Sequence, residues 1–386
     1  MTAGYIPRLL RPPKQSFFLL GPRGSGKSTW VRHELASAHR IDLLDEAVYH
    51  AYLARPGEFA GELRTLRPGS TVVIDEIQRV PALLNEVHRF IEERRMRFVL
   101  CGSSARKLKQ HGTNLLAGRA LRRQMHPFVP AELRAAFDLD EALTHGTLPV
   151  IWTAPSRWEA LVAYGQLYLK EEIQAEALVR NLPGFVRFLP IAALFHGQTL
   201  SVAGLARDAE VSRTTVAGYL EILEDTLLAF RLPAYEGRLR VRERRHPKLY
   251  WIDAGLVRAI RRHRTAPSPE EAGSLFEGWV ANLLRIHNDY RELFDEWYYW
   301  APGEAAQTEV DFLLRRDRDW IAIEAKSTAR ADADQLRGLR AIQGLQGLRR
   351  RILVYRGPRQ MATADGIEVW PVDRLLAALA SAELWP

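Results

Sequence analysis

The chain has little of the chemistry that secreted and membrane proteins depend on. Its 386 residues include one cysteine, Cys101, which excludes an intramolecular disulfide framework and a zinc site built from cysteines alone. It contains no apolar run of about eighteen residues, and its N-terminus lacks the apolar core of a signal peptide. The sequence therefore predicts a cytoplasmic protein with no membrane partner.

Its remaining composition is that of an ordinary globular protein, with 47% hydrophobic and 26% charged residues. A chain of this length is expected to form about two to four domains, each with its own core. The formal net charge of +8 favours a polyanionic partner such as a nucleic acid.

The stretch GPRGSGKST, residues 21–29, fits the phosphate-binding pattern G-x-x-x-x-G-K-[ST]. Ser16–Leu20 before it predicts a buried strand, and Trp30–Leu35 after it predicts a helix. Backbone N–H groups at such a turn can wrap a triphosphate. We therefore expect Lys27 to reach the β- and γ-phosphates of ATP and Ser28 to coordinate Mg²⁺. The alternative is a chance glycine-rich turn. The predicted nucleotide contacts are Gly21, Pro22, Arg23, Gly24, Ser25, Gly26, Lys27, Ser28, Thr29 and, from a later strand, Asp75.

A second run, Thr71–Glu76, is rich in β-branched residues and ends in two carboxylates. This is typical of a buried parallel strand, whose C-terminal end faces the ligand in doubly wound sheets. Asp75 is predicted to help hold Mg²⁺, and Glu76 to polarise the attacking water. An acidic turn without catalytic function is the alternative. Another strand is predicted at His39–Leu44.

Polar residues also follow the next predicted strand. A helix over 82–95 leads into an apolar run at 96–102, and Ser103 and Ser104 come directly after it. In AAA-like ATPases a polar residue at this position senses the γ-phosphate, and the sequence leaves both serines as candidates.

Arg119 is a candidate arginine finger, which would stabilise the charge on the transferred phosphoryl group in cis or in trans. Because Arg122 and Arg123 lie beside it, a solvated surface arginine is the alternative.

Residues 200–230 have the spacing of a helix-turn-helix. Leu200–Ala209 and Arg213–Leu223 are the predicted helices, with Ser212 as the N-cap of the second. The outer face of the second helix is expected to reach DNA bases or phosphates. The residues assigned to it are Arg213, Thr214, Thr215 and Tyr219.

A basic region follows this pair of helices. Between Arg231 and Thr265, eleven lysines and arginines accompany three acidic residues, an excess that suits binding to a phosphate backbone. The run from Arg238 to Lys248 predicts the wing of a winged helix. Winged helices also serve as packing modules without touching DNA, which is the alternative. The predicted wing contacts to DNA are Arg240, Arg242, Arg244 and Arg245.

The last third of the chain carries a second candidate site. Glu277 lies on a predicted helix over 275–287, while Asp311, Glu324 and Lys326 lie on two strands of a predicted hairpin. Glu277, Asp311 and Glu324 would bind one or two divalent cations, Mg²⁺ or Mn²⁺. Lys326 would orient or deprotonate the attacking water. The alternative is a salt-bridged hairpin, in which Asp311, Glu324 and Lys326 neutralise one another on a solvated face.

Together these motifs resemble those of prokaryotic AAA-like ATPases in which a P-loop module and a winged helix precede a C-terminal domain. That domain resembles the PD-(D/E)xK nuclease superfamily, whose metal-binding pattern maps onto Glu277, Asp311, Glu324 and Lys326 without substitution. The resemblance implies a homo-oligomer, such as a hexameric ring, in which Arg119 serves the neighbour's nucleotide. The segments that carry it are GPRGSGKST, VVIDEIQRVP, CGSSARKL, LAGRA, LFEGWVANLL, EVDFLL and IEAKS.

The predicted fold class is α/β with four domains. These are a P-loop AAA-like parallel-sheet ATPase domain at 1–130, a helical lid at 131–195, a winged helix at 196–250 and a restriction-endonuclease-like domain at 251–386. A helix over 332–345 belongs to the last of them.

The predicted function is an ATP-dependent DNA-processing enzyme that acts on duplex or branched DNA, such as Holliday junctions, in recombination or repair. It would combine an ATPase with a metal-dependent endonuclease. The alternatives are a branch-migration ATPase without cleavage and a nucleotide-switched DNA-binding regulator.

Overall fold

The computed structural model describes residues 4–103, 116, 118–165, 181–237, 246–302 and 308–386. Ser104 and the four predicted wing arginines, Arg240, Arg242, Arg244 and Arg245, lie outside the described residues. The strands of the described part are β1 Ser16–Leu20, β2 His39–Asp42, β3 Thr71–Asp75, β4 Arg97–Gly102, β5 Ala120–Gln124, β6 Gln198–Thr199, β7 Ala229–Leu232, β8 Lys248–Trp251, β9 Glu296–Trp300, β10 Val310–Arg316, β11 Asp319–Lys326, β12 Leu348–Tyr355, β13 Met361–Ala362 and β14 Glu368–Pro371. Its α-helices are α1 Lys27–Glu34, α2 Glu46–Ala54, α3 Pro56–Thr65, α4 Leu83–Arg94, α5 Pro130–Leu133, α6 Leu139–His145, α7 Pro149–Trp152, α8 Arg157–Ala163, α9 Leu182–Leu194, α10 Val202–Asp208, α11 Arg213–Asp225, α12 Ala254–Arg261, α13 Pro269–Arg291, α14 Arg337–Ala341 and α15 Val372–Ser381.

These elements belong to two compact units. The first unit comprises Met1–Phe128, Leu148–Thr153 and Glu221–Leu228. The second comprises Val129–Thr147, Ala154–Leu220 and Ala229–Pro386. Among the helices described in either unit, none is both long and apolar enough to cross a membrane. A location in the cytoplasm stays a prediction.

The first unit is built on a five-stranded parallel sheet in the order β2-β3-β4-β1-β5. Every residue of β1 is buried, as are the central residues of β3, which explains their continuous apolar runs. Because all the strands run the same way, the loops after β1, β3 and β4 meet at one edge of the sheet. The predicted strand at Ser16–Leu20 is confirmed, and the sheet brings the predicted ATPase motifs to a common edge.

The helix after the glycine-rich loop begins earlier than predicted. It starts at Lys27 rather than Trp30, because Gly26 adopts φ +89° as its N-cap and only glycine takes that conformation without strain. The Trp30 N–H donates to Gly26 O at 2.9 Å, which closes the first turn. Lys27 and Ser28 therefore stand in the first turn of α1, where backbone N–H groups have no helical partner.

The second unit contains a six-stranded mixed sheet in the order β13-β14-β12-β11-β10-β9. The predicted hairpin is confirmed: β10 and β11 are antiparallel, with Phe312 opposite Ile323. One core of this unit forms around the sheet from apolar side chains of β10, β12 and β14, including Leu313, Leu353 and Val369. The predicted helix over 332–345 is confirmed in part. The segment is helical, but only α14 is an α-helix, and 3₁₀ turns at Ala333–Leu336 and Ile342–Gly344 flank it. Gly338 in α14 packs so closely that a Cβ would lie 1.6 Å from Glu309 O.

The helix that carries Glu277 is longer than predicted. α13 runs for 23 residues because Ser268 caps it, accepting from the Glu271 N–H at 3.2 Å, and Pro269 stands in its first turn. Glu277 is thus held in the middle of a long helix rather than near its end.

A three-stranded antiparallel sheet, in the order β6-β8-β7, also belongs to the second unit. In chain order α10 and α11 fall between β6 and β7, and both predicted helices are confirmed. The Ser212 Oγ accepts from the Thr215 N–H at 3.1 Å, which is the predicted N-cap bond. The assignment of this region as a winged helix stays a prediction.

Two glycines of α13 are expected to respond oppositely to alanine. A Cβ on Gly278 would lie 1.9 Å from His196 Nε2, whereas a Cβ on Gly273 would meet only Ser327 Oγ at 4.0 Å. Gly278→Ala should lower the free energy of unfolding by about 1–3 kcal/mol through overpacking. Gly273→Ala should raise it by up to about 1 kcal/mol through helix propensity. Urea denaturation of both variants measures the difference, and equal effects would contradict the described packing.

Candidate nucleotide site and carboxylate cluster

Lys27 lies inside the glycine-rich loop of the first unit. Its side chain is buried, and Nζ donates to Gly21 O at 2.7 Å and to Pro22 O at 3.2 Å. A Cβ on Gly21 would lie 2.6 Å from Met125 O, so a larger residue would displace the loop from β5. The loop is therefore built around the ammonium group that the pattern predicts to contact phosphate.

Ser28 and Asp75 meet at the same edge of the sheet. The Ser28 Oγ donates to Asp75 Oδ2 at 2.8 Å. Asp75 Oδ1 is buried and has no hydrogen-bond partner among the described residues, although an unpaired buried carboxylate oxygen is costly. A hydroxyl and a carboxylate oxygen are ligands that Mg²⁺ accepts. These residues therefore fit the cation that a P-loop ATPase requires.

Glu76 leaves the strand in an unusual conformation. Its φ of 56° lies in the left-handed region, which costs a non-glycine residue about 1 kcal/mol or more and is concentrated at functional sites. The Gln78 amide donates to Glu76 Oε2 and, at 3.2 Å, to Ser103 Oγ. The fold thus brings Glu76 and Ser103 together through Gln78.

Gln78 was missed by the sequence reasoning. It is 4% exposed, and a Cβ on Gly102 would lie 2.6 Å from its Oε1, so the end of β4 is shaped to admit it. The sequence feature that could have indicated it is its position, two residues after Glu76, the carboxylate that follows β3.

Arg119 forms an exposed ion pair in the described structure. Its Nε donates to Glu92 Oε1, and this hydrogen bond lowers the pKa of the Glu92 carboxyl. The side chain is 42% exposed. This contact agrees with the surface-arginine alternative within one chain, and its use on a neighbour's nucleotide stays a prediction.

A cavity of about 540 Å³ adjoins the glycine-rich loop within the first unit. Its volume falls in the range typical of small-molecule sites, about 300–1,000 Å³. Among the residues that line it are Tyr5, Ile6, Trp30, Phe128, Pro149 and Val150.

Arg8 braces the wall of this cavity. The buried guanidinium donates to Ser25 O at 3.0 Å, to Pro127 O at 3.3 Å and to His126 O, and it lies 4.6 Å from the centre of the Phe128 ring. The N-terminal segment is therefore part of the site. The sequence reasoning assigned Arg8 no function, because its partners are up to 119 residues away.

The predicted DNA-contacting face of α11 is partly wrong. Arg213 and Thr214 are exposed and Thr215 is half-buried. Tyr219, however, is 4% exposed, its hydroxyl donates to Asn181 O at 2.8 Å, and its ring packs edge-on against Phe185. Tyr219 is therefore a core residue, since it lies on the opposite face of the helix from Arg213 and Thr214.

Two cations of the basic region are also buried in the second unit. Lys248 is 2% exposed, and Arg258 is fully buried with Nε 3.2 Å from Glu271 Oε1. Neither can contribute to a surface that attracts phosphates. The charge excess between Arg231 and Thr265 therefore overstates the surface charge of that region.

Lys248 reaches into the predicted C-terminal metal site. Its Nζ lies 2.8 Å from Glu277 Oε1, 3.2 Å from Asp311 Oδ1 and 3.4 Å from Glu309 Oε1. The Tyr250 hydroxyl donates to the same Glu277 oxygen at 2.6 Å. The sequence reasoning missed both Lys248 and Glu309 as members of this cluster.

The other predicted residues of the cluster pair among themselves. Lys326 Nζ lies 2.5 Å from Glu324 Oε1 and 3.6 Å from Asp311 Oδ2. The Asp311 N–H donates to Glu324 Oε2 at 3.3 Å, and the Ala325 N–H donates to Asp311 Oδ2 at 2.9 Å. The fold therefore brings Glu277, Asp311, Glu324 and Lys326 together, with most of their polar atoms engaged.

Burial and charge separate the pKa values of these carboxyls. Burial, with Asp311 nearby, raises the pKa of Glu277 to about 7, and burial likewise raises the pKa of Glu324 well above its usual value. Burial alone would raise the pKa of Asp311 as well, but the ammonium groups of Lys326 and Lys248 hold it below its usual value. Asp311 is therefore the carboxylate that stays ionised, and the other two hold protons more readily.

The C-terminal cluster fits a resident metal less well than the nucleotide site does. Glu277, Glu309 and Asp311 offer oxygens within 4.8 Å of one another, but these are the three carboxylates that Lys248 binds. No buried carboxylate oxygen of Glu277, Asp311 or Glu324 is left without a hydrogen-bond partner in the described structure. The charges are thus paired as in the salt-bridged alternative, but they are buried rather than solvated and they include a lysine outside the hairpin.

Comparison with known families covers the segment that contains the first of these sites. Residues 13–134 match the family described as AAA domain. Two further segments match families described as domains of unknown function, DUF8612 at 136–266 and DUF4143 at 272–375. The chain therefore carries an AAA-type P-loop ATPase domain followed by a DUF4143 domain.

Similar proteins extend over nearly the whole chain. An uncharacterised protein of Mycobacterium tuberculosis is 27% identical over 376 residues, which cover 95% of this chain and 82% of that protein. An uncharacterised protein of Haemophilus influenzae is 22% identical over 405 residues, covering 96% of this chain and 97% of the other.

Among solved structures, the match to a Walker-type ATPase of Pyrococcus abyssi covers 64% of this chain and 90% of the ATPase chain, with 16% identity and a TM-score of 0.42. The ORC1 protein of Aeropyrum pernix in complex with DNA matches 64% of this chain and 87% of its own, with 13% identity and a TM-score of 0.27.

Proposed function

We propose that the protein is a Mg²⁺-dependent ATPase that binds DNA and uses ATP hydrolysis to remodel it. The observation that carries the ATPase part is the Ser28–Asp75 pair beside Lys27. Its hydroxyl and carboxylate are 2.8 Å apart, and one carboxylate oxygen is buried without a partner among the described residues. That oxygen needs a cation, and a P-loop places one there.

Each residue of the nucleotide site has a separate role in ATP hydrolysis. Lys27 binds the β- and γ-phosphates, and the N–H groups of the first turn of α1 face the same charge. Ser28 and Asp75 hold Mg²⁺, which neutralises phosphate charge. Glu76 accepts a proton from the attacking water. Gln78 fixes Glu76 relative to Ser103, which senses the γ-phosphate. The cavity beside Trp30 and Phe128 receives the adenine base of ATP.

The exposed N-terminus of α11 supports the DNA part of the proposal. Arg213 and Thr214 are exposed there, and Arg213 forms no ion pair within the described residues. A helix N-terminus with an arginine and a hydroxyl is suited to phosphate contacts. Duplex or branched DNA, including Holliday junctions in recombination or repair, is the substrate class that the family resemblance favours. A homo-oligomer, with Arg119 acting in trans, belongs to the same proposal.

Arg213→Ala is expected to weaken DNA binding by severalfold, because it removes one phosphate contact. The slope of log K against log salt should fall by about 1. Fluorescence anisotropy with a labelled duplex at several salt concentrations measures both quantities. Tyr219→Phe on the buried face of the same helix is the matched control and should bind like wild type. Equal binding by wild type and Arg213→Ala would remove α11 from the DNA surface.

Metal-dependent DNA cleavage is the second candidate. Its support is that the four residues of the PD-(D/E)xK pattern, Glu277, Asp311, Glu324 and Lys326, come together in one cluster. It predicts that Mg²⁺ or Mn²⁺ allows cutting of forked or four-way-junction DNA, and that Asp311→Ala abolishes the cutting. No cleavage of any of these substrates, with DNA-stimulated ATP hydrolysis intact, would leave the remodelling proposal alone.

A further inference from the structure

We propose that Lys248 is the resident cation of the C-terminal carboxylate cluster, so that the wild-type cluster takes no divalent metal. This inference goes beyond the proposed ATPase function and does not depend on it, and it argues against metal-dependent cleavage, the second candidate. It assigns the cluster a structural state, ion-paired to a lysine from β8, in place of the metal that the sequence pattern predicts.

The first argument is that one set of ligands serves both cations. Among the described residues, Glu277, Glu309 and Asp311 are carboxylates close enough together to hold a metal ion. Lys248 Nζ donates to Glu277 Oε1 at 2.8 Å and to Asp311 Oδ1 at 3.2 Å, and it forms an ion pair with Glu309 Oε1 at 3.4 Å. A lysine ammonium has three N–H donors and no acceptor, and here two of the carboxylates accept from it while the third lies within ion-pair distance. A metal at the centre of this set would have to occupy the position of the ammonium.

The second argument is that Lys248 cannot easily move aside. It lies on β8, which is paired with β6 and β7 on its two sides, and all four residues of β8 are buried. An ammonium group withdrawn from its carboxylates but kept in the protein interior is strongly destabilised. Displacing it by a metal therefore carries the cost of an unpaired buried charge.

The third argument is that Glu324 is turned to other partners. In the predicted metal site, Asp311 and Glu324 share a cation. Here the Glu324 oxygens accept from Lys326 Nζ and from the Asp311 N–H. By contrast, Asp75 in the nucleotide site keeps a buried oxygen without a partner among the described residues. The two sites thus differ in the feature that a resident metal requires.

The experiment is Mn²⁺ binding, followed by the electron paramagnetic resonance signal of free Mn²⁺, with full-length protein and no nucleotide. Wild type and Asp311→Asn are expected to give the same binding curve, because Asp311 binds no metal in either. Lys248→Met is expected to raise Mn²⁺ affinity by about tenfold or more, because the carboxylates lose their cation. The double variant Lys248→Met/Asp311→Asn should lose this gain.

Lys326→Met is the matched control within the cluster. It removes the other ammonium but leaves Lys248 on Glu277, Glu309 and Asp311, so Mn²⁺ binding should stay at the wild-type level. Mn²⁺ binding by wild type that disappears in Asp311→Asn would overturn the proposal. An equal gain in Lys326→Met and Lys248→Met would also overturn it. If Lys248→Met does not fold, the comparison of wild type with Asp311→Asn still tests whether the wild-type cluster binds Mn²⁺.

Discussion

Replacement of Lys27 by alanine is expected to reduce ATP hydrolysis by about 10²-fold or more, since one charged contact to the transferred phosphate is lost. Lys27 is the ammonium around which the loop folds, with Nζ on Gly21 O and Pro22 O. ATP binding should weaken in parallel, because the same group contacts the β-phosphate in the ground state. Phosphate release at saturating ATP and binding of a fluorescent ATP analogue measure the two effects.

Lys14→Ala is the control for Lys27→Ala, because Lys14 is exposed and lies before β1. It should hydrolyse ATP at the wild-type rate. Both variants should unfold near the wild-type temperature, which excludes a loss of fold as the cause. Hydrolysis by Lys27→Ala at more than about a tenth of the wild-type rate would contradict the site, given the usual size of such losses.

Glu76→Gln is expected to separate binding from chemistry. The amide keeps the shape of the side chain but cannot accept a proton, so hydrolysis should fall by about 10²–10⁴-fold. ATP binding should stay near the wild-type level, because Glu76 is predicted to act on the attacking water and not on the phosphates. The same two assays measure this, with single-turnover hydrolysis to exclude an effect on product release.

Glu93→Gln is the matched control for Glu76→Gln, since Glu93 is an exposed glutamate of α4 in the same unit. Wild-type hydrolysis is expected. If Glu76→Gln loses ATP binding and hydrolysis together, Glu76 supports the loop instead of activating water. If it retains normal hydrolysis, another group is the base.

Local sequence was enough to predict which residues meet at the candidate nucleotide site, because its main parts are adjacent in the chain. The loop and the N-terminus of α1 lie within nine residues, 21–29, while Asp75 ends one buried strand and Glu76 directly follows it. Parallel pairing then brings these segments to one edge without further information. Arg8 and Gln78 escaped prediction because their functional contacts depend on how distant segments pack.

The predicted helix-turn-helix shows how a sequence pattern can locate a helix correctly and still assign one of its residues to the wrong face. Arg213 and Thr214 begin α11 on the exposed side. Tyr219 follows Arg213 by six residues, about one and two-thirds turns, so it points away from the face of Arg213. It joins Val216, Leu220 and Leu223, which are all buried. The helical period alone was sufficient to correct this assignment.

The carboxylate cluster could be predicted only in part. Asp311, Glu324 and Lys326 lie close together in the sequence, on the two strands of one hairpin. The pattern therefore predicted correctly that these three residues contact one another. Lys248 joins them from 63 residues before Asp311, and nothing in the nearby sequence distinguishes it from the arginines that precede it. The sequence alone distinguishes poorly between a metal site and a cluster of salt bridges, because the same carboxylates can bind either a metal ion or a lysine.

The most direct test of the account is the steady-state rate of ATP hydrolysis by the pure protein, measured with and without DNA. Single-stranded, duplex, forked and four-way-junction DNA are compared in Mg²⁺, and Lys27→Ala is run beside wild type. The account predicts that ATP hydrolysis depends on Lys27 and is accelerated by DNA. The DNA that gives the highest rate is the preferred substrate. Hydrolysis that is the same with every DNA and without DNA would contradict coupling of the ATPase to DNA.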